Sequence, residues 1–111
     1  MMKPQELVTF VTTDIAAITR GRAVAVSDMP GALAKGVGWV PANLSLTPFD
    51  EIASPNPFGS SGDLRLIPDP KAGVRVEGLG GRTPLHFYHA DITNLDGTPW
   101  LGCVRSMLKA A

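Results

Sequence analysis

Gly62-Asp63-Leu64-Arg65-Leu66-Ile67-Pro68-Asp69-Pro70 predicts a β-strand with one buried face. Leu64 and Leu66 are two residues apart on either side of Arg65, so in an extended chain their side chains lie on the same face. Proline has no backbone N–H and cannot donate to a sheet ladder. We therefore expect the strand to cover residues 63–68 and to end at Pro68-Asp69-Pro70.

Further strands are predicted on both sides of this segment. Residues 7–13 are rich in β-branched side chains, and β character resumes over residues 20–26, so the two predict a hairpin. Their connection is longer than a two-residue turn, which leaves the register open. Residues 74–77 alternate between apolar and polar side chains, and residues 85–90 form another β-prone run. The sequence thus predicts about five strands, a usual number for a small sheet.

Helix and loop signals complete the outline. Asp28 is expected to cap a short helix that ends at Gly36, and residues 104–111 predict a second short helix. Residues 36–62 are rich in Pro, Gly, Ser and Asn, and predict a long functional loop that carries a brief strand. We expect one α+β, β-grasp-like domain over residues 1–111, with a mixed or antiparallel sheet and one or two short helices.

Composition narrows the classes of partner. The 111 residues carry 10 Lys and Arg against 10 Asp and Glu, so the formal net charge is zero. Proteins that bind nucleic acid or a membrane surface usually present a basic field, and we therefore expect neither partner. No apolar run approaches the roughly 20 residues that cross a bilayer, and the first residues lack the apolar core of a secretory signal. We expect a soluble, cytoplasmic protein.

Few side chains suggest a chemical site by themselves. Cys103 is the only cysteine, which excludes an intrachain disulfide and favours a structural thiol over a nucleophile. His86 and His89 lie on a predicted strand and should point to opposite faces, so packing is favoured over a shared metal ion. Gly78-Leu79-Gly80-Gly81 lacks the Lys-Ser/Thr end of a phosphate-binding loop and favours a flexible loop between strands. The dispersed aspartates favour turn and cap roles, and we expect no metal or cofactor site in this chain.

Several segments follow one another in an order typical of a known family. They are Arg20-Gly21-Arg22, residues 62–69, Asp96-Gly97-Thr98-Pro99-Trp100 and Arg105-Ser106-Met107-Leu108-Lys109. In this order and spacing, the chain resembles the amino-terminal β-grasp domain of the glutamine synthetase family, including its γ-glutamylpolyamine synthetase branch. Val104 stands where the family pattern has a proline before the Arg-Ser pair. The resemblance spans nearly the whole chain.

This resemblance implies an oligomeric, ATP-dependent C–N ligase of nitrogen metabolism for the intact protein. In the family, carboxylates of the following catalytic domain hold Mg²⁺ or Mn²⁺, ATP phosphorylates glutamate, and an amine attacks the γ-glutamyl phosphate. The β-grasp domain of one subunit closes over the active site of its neighbour, which implies a homo-oligomer. Because residues 1–111 include no catalytic domain, we expect this chain to form part of an active-site wall and to lack ligase activity alone.

Asp50 is the candidate catalytic residue that the resemblance implies. In ammonia-using members, an Asp-Gly-Ser-Ser loop supplies an aspartate that helps to receive ammonium. Phe49-Asp50-Glu51-Ile52 lies at the corresponding distance before Asp63, so the aspartate aligns whereas the Gly-Ser-Ser does not. The altered loop and the Arg-Gly-Arg element favour the polyamine-using branch or another amine-using branch. The acceptor stays open between ammonia and another amine.

A second class of function fits the same sequence. The chain could be a stand-alone interaction or regulatory module that associates with a full-length synthetase. An independent small enzyme is disfavoured, because the residues suggest no nucleophile–base pair and no ligand cluster. The coding sequence after Ala111 would separate the first two readings. A catalytic domain there favours the ligase, and a stop codon without such a neighbouring frame favours the module.

Overall fold

The computed structural model describes residues 5–59 and 61–111. Residues 1–4, at the start of the predicted domain, and Ser60, within the predicted loop, lie outside the described residues. The described part contains five strands, two short α-helices and two 3-10 helices. In chain order these are β1 (Leu7–Thr13), β2 (Thr19–Ala25), a 3-10 helix (Val26–Asp28), α1 (Met29–Lys35), β3 (Val37–Trp39), a 3-10 helix (Pro41–Ser45), β4 (Leu64–Val76), β5 (Leu85–Thr93) and α2 (Val104–Ala110).

All of these strands form one sheet in the order β2-β1-β5-β4-β3. The neighbours β1 and β5 run parallel, whereas the other three pairs are antiparallel. Parallel neighbours need a long connection rather than a tight turn, and here the chain passes through β2, α1, β3 and β4 between them. A hairpin, a helix and further strands around a central parallel pair make a β-grasp-like fold. The predicted α+β class is confirmed, and the sheet is mixed.

β1 and β2 form the hairpin that the sequence predicted. They pair along their whole length and leave residues 14–18 as the connecting loop. Asp14 shapes this loop, because its Oδ1 accepts hydrogen bonds from the N–H groups of Ala16 and Ile18 at 2.9 and 3.0 Å. The wide connection was therefore predicted correctly, and the structure supplies the register.

One prediction about the central strand was wrong, because the chain does not leave the sheet at Pro68-Asp69-Pro70. β4 continues past these residues and includes most of the separately predicted strand 74–77. The pairing register with β5 shifts between Pro68 and Gly73, where residues 69–72 bulge out of the ladder. The extra residues of a bulge need not donate to the partner strand, so the second proline is accommodated and pairing resumes beyond it.

The core lies on one face of this sheet. Phe10, Leu66 and Ile92, on β1, β4 and β5 respectively, are almost completely buried. Burial of such side chains contributes about 1.5–3 kcal/mol each, so this face holds the central strands together. The remaining buried members of the cluster are Val8, Val37, Trp39, Leu64, Ala90 and Cys103. β5 runs beyond its predicted end at residue 90, because Ile92 continues the buried alternation.

α1 follows the hairpin and packs Met29, Ala32 and Leu33 against the core. Asp28 precedes the helix as predicted, but its side chain makes no capping hydrogen bond. Its backbone already has the helical geometry of the preceding 3-10 turn, whereas a capping residue is usually extended. Gly36 ends α1 with a φ of 68°, which glycine adopts without strain.

The described residues of the range 36–62, that is 36–59, 61 and 62, are more regular than the predicted loop. The expected brief strand is β3, which pairs with the start of β4 and leads into the second 3-10 helix. Trp39, Ala42 and Ser45 are buried, so the first half of the segment is packed into the domain. α2 lies where the second helix was predicted. Neither α-helix of the described residues is long and apolar enough to span a membrane.

Candidate functional site

A tight hairpin over residues 47–51 carries the candidate residue Asp50. The Thr47 N–H donates to the Glu51 carbonyl oxygen at 2.8 Å, which closes the hairpin. Thr47 Oγ1 accepts hydrogen bonds from the N–H groups of Phe49 and Glu51, both at 3.3 Å. The turn is therefore held by its own first residue.

Asp50 has a left-handed backbone conformation, with a φ of 60°. Aspartate and asparagine tolerate this conformation better than most residues, so an aspartate here suits the turn as well as any chemistry. The Asp50 side chain is 83% exposed. The neighbouring Phe49 is 85% exposed. The hairpin thus presents a carboxylate and an apolar ring side by side to the solvent.

Arg20, on β2, connects this hairpin to the β1–β2 loop. Its Nη1 donates to Asp14 Oδ2 at 3.0 Å, and its Nη2 donates to the Thr47 carbonyl oxygen at 3.3 Å. The same Nη2 lies 3.7 Å from Asp50 Oδ1, close enough for attraction but too far for a hydrogen bond. The side chains of Arg20 and Asp14 are largely buried, at 17% and 11% exposure. Two loops that are distant in sequence therefore meet at one guanidinium.

The sequence did not indicate this meeting. Asp14 was assigned a turn role, which it fulfils, and Arg20 was noted only as part of the Arg-Gly-Arg element. A buried arginine needs a polar or charged partner. An acid in the turn just before the strand that carries the arginine could therefore have predicted the contact between Asp14 and Arg20.

The Arg20-Gly21-Arg22 element joins the two edge strands of the sheet. Arg22 lies on the same face of β2 as Arg20, and its Nη1 donates to the Gly38 carbonyl oxygen of β3 at 3.2 Å. β2 and β3 are the outermost strands, so Arg22 connects the two open edges, whereas Arg20 reaches the segment after β3. Gly21 is required between them, because a Cβ there would lie 2.4 Å from the Phe10 carbonyl oxygen of β1.

A family model described as the glutamine synthetase N-terminal domain matches residues 1–100. The chain belongs to this family. Among solved structures, the crystal structure of a novel glutamine synthase homolog is 50% identical to it, with a TM-score of 0.91. That alignment covers 99% of this chain and 26% of the homolog. A comparison with curated proteins gives no match.

More distant structures share the fold of this glutamine synthetase N-terminal domain. A GmaS/ADP complex is 20% identical, with a TM-score of 0.67, and the match covers 96% of this chain and 22% of that one. The glutamine synthetase of Plasmodium falciparum, solved by cryo-EM, is 17% identical with a TM-score of 0.68, over 96% of this chain and 18% of that one. The chain thus spans about a quarter or less of the length of the structures it matches.

The two histidines of the glutamine synthetase-type domain lie on opposite faces of β5, as predicted. The His86 ring packs against Tyr88, with ring centroids 5.4 Å apart, and the His89 ring packs against Phe87 at 5.8 Å. Within residues 5–59 and 61–111, no three His, Cys, Asp or Glu side chains come together as a metal site requires. Both histidines therefore contribute aromatic packing.

Cys103 and the glycine-rich segment occupy the structural places predicted for them. Cys103 is completely buried in the core, and its Sγ accepts a hydrogen bond from the Ile92 N–H at 3.2 Å. Residues 78–81 lie in the loop of residues 77–84 between β4 and β5. The thiol is thus part of the packing that joins β5 to the segment before α2.

α2 is held against the sheet by ion pairs, and it contributes no buried residue. Arg105 donates to Asp91 on β5 and to Asp69 in the β4 bulge, both at 2.8 Å, and Lys109 donates to Asp91 at 2.6 Å. Hydrogen bonds from Arg105 and from the Lys71 N–H lower the pKa of Asp69. Burial raises the pKa of Asp91, but hydrogen bonds from Lys109 and Arg105 outweigh burial and leave that pKa below its ordinary value.

The face of the sheet opposite the core is partly open and apolar. Leu7, Val74, Val76 and Leu85 lie on this open face, each between 38% and 50% exposed. They come from three neighbouring strands, and Val76 pairs directly with Leu85. A contiguous exposed apolar patch commonly marks an interaction surface.

Proposed function

We propose that the chain is the amino-terminal domain of a glutamine synthetase-like, ATP-dependent C–N ligase, of the glutamate–ammonia or γ-glutamyl–amine type. It forms part of the active-site wall of a neighbouring subunit and is inactive alone. The observation that carries this proposal is the 50% identity to a glutamine synthase homolog across 99% of the chain. The chain corresponds to 26% of that homolog. In this proposal, a catalytic domain supplies the rest of the ligase.

Asp50 lines the amine pocket in this proposal. A carboxylate can hold a protonated amine through charge-assisted hydrogen bonds and can accept its proton before the amine attacks. The exposure of the side chain supports this role, because the carboxylate is directed away from the core. Arg20 stays 3.7 Å away, beyond hydrogen-bonding distance, and leaves the acceptor positions of Asp50 open to an amine.

The charges around Asp50 also favour a cationic substrate. Asp14 neutralises Arg20 through a contact of 3.0 Å, so Asp14, Arg20 and Asp50 together carry one excess negative charge. Screening by salt limits the reach of this charge to about 8 Å at physiological ionic strength. The carboxylate therefore acts on an amine that is already in the pocket, and discriminates a cation from a neutral molecule at close range.

ATP and Mg²⁺ or Mn²⁺ are assigned to the catalytic domain. The described residues of this chain do not fit a metal centre, since they bring together no three His, Cys, Asp or Glu side chains. Phosphoryl transfer needs metal-assisted charge stabilisation, and the catalytic domain would supply it when these groups are bound. The role of this chain is to close one side of the pocket and to present the carboxylate of Asp50.

The partners in this proposal are a glutamine synthetase-type catalytic domain and neighbouring subunits of a homo-oligomer. The open apolar face supports such a partner, because Leu7, Val74, Val76 and Leu85 would gain hydrophobic stabilisation on being covered. The same face would serve the alternative function, a stand-alone module that binds a full-length synthetase. Two observations together would favour that alternative. The chain would co-elute with such a synthetase during size-exclusion chromatography, and the coding sequence after Ala111 would encode no catalytic domain.

The amine role is tested by Asp50→Asn in a protein that joins the chain to a glutamine synthetase-type catalytic domain. Asparagine tolerates the same left-handed conformation, so this change removes the charge and keeps the turn. The amine KM should rise about tenfold, as on losing one charge-assisted hydrogen bond, while the ATP KM stays unchanged. Ammonium and a diamine are compared as acceptors.

Asp28→Asn is the matched control, because Asp28 is another exposed aspartate whose side chain makes no capping hydrogen bond. It should leave all kinetic constants at their wild-type values. If Asp50→Asn also leaves the amine KM unchanged for both acceptors, Asp50 has only a turn role and the proposed amine site is wrong.

A further inference from the structure

We propose that Arg20 is a positioning residue, which fixes the hairpin of residues 47–51 against the β1–β2 loop and thereby sets where Asp50 presents its carboxylate. The link to amine binding rests on the proposed function above. The link between Arg20 and the hairpin rests only on contacts within this chain.

The hairpin needs an anchor because its tip is not packed. Pro48, Phe49, Asp50 and Glu51 are all exposed. An exposed turn that is held mainly by its own hydrogen bonds belongs to the least stable part of a domain. The Nη2 of Arg20 reaches the Thr47 carbonyl oxygen from 27 residues away in the sequence, and so ties the base of this turn to the sheet.

Arg20 is itself held in one orientation. The Asp14 carboxylate accepts from its Nη1 through Oδ2, while Asp14 Oδ1 accepts from two N–H groups of its own loop. The guanidinium is planar, so fixing Nη1 on Asp14 also fixes the direction of Nη2 towards Thr47 and Asp50. A lysine could satisfy Asp14 or Thr47, but it has no such fork. Position, rather than positive charge alone, is therefore what the arginine supplies.

Arg22 provides a matched comparison within the same element. It lies two residues along the same strand face and also donates to a carbonyl oxygen of a distant segment, that of Gly38 at 3.2 Å. That contact is to β3 and involves neither Asp14 nor the hairpin. Replacing either arginine removes the same charge from the same strand, but only Arg20 should affect residues 47–51.

The first test uses the 111-residue chain and amide hydrogen exchange followed by NMR. In Arg20→Gln, the amides of Thr47 and Asp50, which bond to Glu51 and Thr47 within the hairpin, should exchange about tenfold faster, the effect of losing one hydrogen bond from a charged donor. Arg22→Gln should leave both rates unchanged. Equal rates in wild type and Arg20→Gln, or the same acceleration in Arg22→Gln, would overturn the inference.

Two further variants, Asp14→Asn and Arg20→Lys, separate loss of the hairpin contact from loss of the fold and from loss of positive charge. The exchange rates of the Leu66 and Ile92 amides show whether the core of each variant is intact. If Arg20→Gln proves unstable, Asp14→Asn replaces it, because this change weakens the contact that orients Arg20 and keeps the arginine itself. Arg20→Lys should loosen the hairpin as Arg20→Gln does. Full protection of the hairpin in Arg20→Lys would show that charge is sufficient and that positioning by the fork is wrong.

The second test measures turnover in the protein joined to a catalytic domain. Arg20→Gln should raise the amine KM about tenfold with little change in the ATP KM, because a displaced carboxylate binds the amine poorly. If Asp50→Asn raises the amine KM and Arg20→Gln does not, the positioning role is wrong while the proposed amine site stands. If neither variant changes it, the amine site fails, and the exchange experiment still decides whether Arg20 holds the hairpin.

Discussion

Gly21→Ala offers a direct test of how β1 and β2 approach each other. A Cβ at position 21 would lie 2.4 Å from the Phe10 carbonyl oxygen, 2.9 Å from Thr9 Cγ2 and 3.0 Å from Val11 Cγ1. The closest of these atoms belongs to the backbone, so no rotation of a side chain relieves the contact. The new methyl group enters about 1 Å inside ordinary van der Waals separation. The paired strands must therefore move apart locally.

The loss of stability in Gly21→Ala has two sources, the steric clash and the weakened hydrogen bonds between β1 and β2. Overpacking of this kind costs roughly 1–3 kcal/mol, and each weakened cross-strand hydrogen bond adds about 0.5–1.5 kcal/mol. We expect Gly21→Ala to lower the free energy of unfolding by about 3 kcal/mol in total. For a domain of this size, that corresponds to a fall in Tm of roughly 10–20 °C. Urea denaturation followed by tryptophan fluorescence measures the first quantity, and a thermal scan measures the second.

Gly31→Ala is the control, because a Cβ at Gly31, within α1, meets nothing within 4 Å. Alanine favours helix over glycine, so this variant should be more stable by about 0.5–1 kcal/mol. The two substitutions add the same methyl group and should change stability in opposite directions. A Gly21→Ala protein within about 0.5 kcal/mol of wild type, a surface-like effect, would refute the close approach inferred for β1 and β2.

Two further predictions concern α2 and the core. The folded-state pKa values of Asp69 and Asp91 lie below the ordinary value of 3.8, so their ion pairs with Arg105 stabilise the docked helix above about pH 4 and are lost as the pH falls through the lowered values. Circular dichroism during acid titration should show an acid-sensitive step that is reduced in Arg105→Met, and identical titrations of the two proteins would contradict this role of the network. Cys103 is completely buried, so a thiol reagent should label it slowly in the native protein and rapidly in denaturant. The labelling is monitored by absorbance or mass spectrometry. Rapid labelling of Cys103 in the native protein would show that the segment before α2 opens readily.

The local elements of this protein were predictable because their signals act over a few residues. The alternation around Leu64 and Leu66 indicates a strand with one buried face, and the β-branched residues 7–13 indicate the first strand of the β1–β2 hairpin. Gly36 marks the end of α1, since a positive φ is a local requirement. Asp50 was found by alignment to a family pattern, and its own neighbours indicate only a turn.

The sheet order, the bulge in β4 and the meeting point at Arg20 depend instead on contacts between distant residues. Pro68-Asp69-Pro70 locally predicts a strand end, but the pairing of β4 with β5 on both sides of the bulge compensates for the lost ladder bonds. A guanidinium can pair with any acid or carbonyl oxygen. Its pairing with Asp14 is local to the hairpin, whereas its contact with Thr47 follows from the packing that brings the open edge of β2 close to the segment after β3. Such proximity arises only when the core has formed, so it cannot be read from the order of residues along the chain.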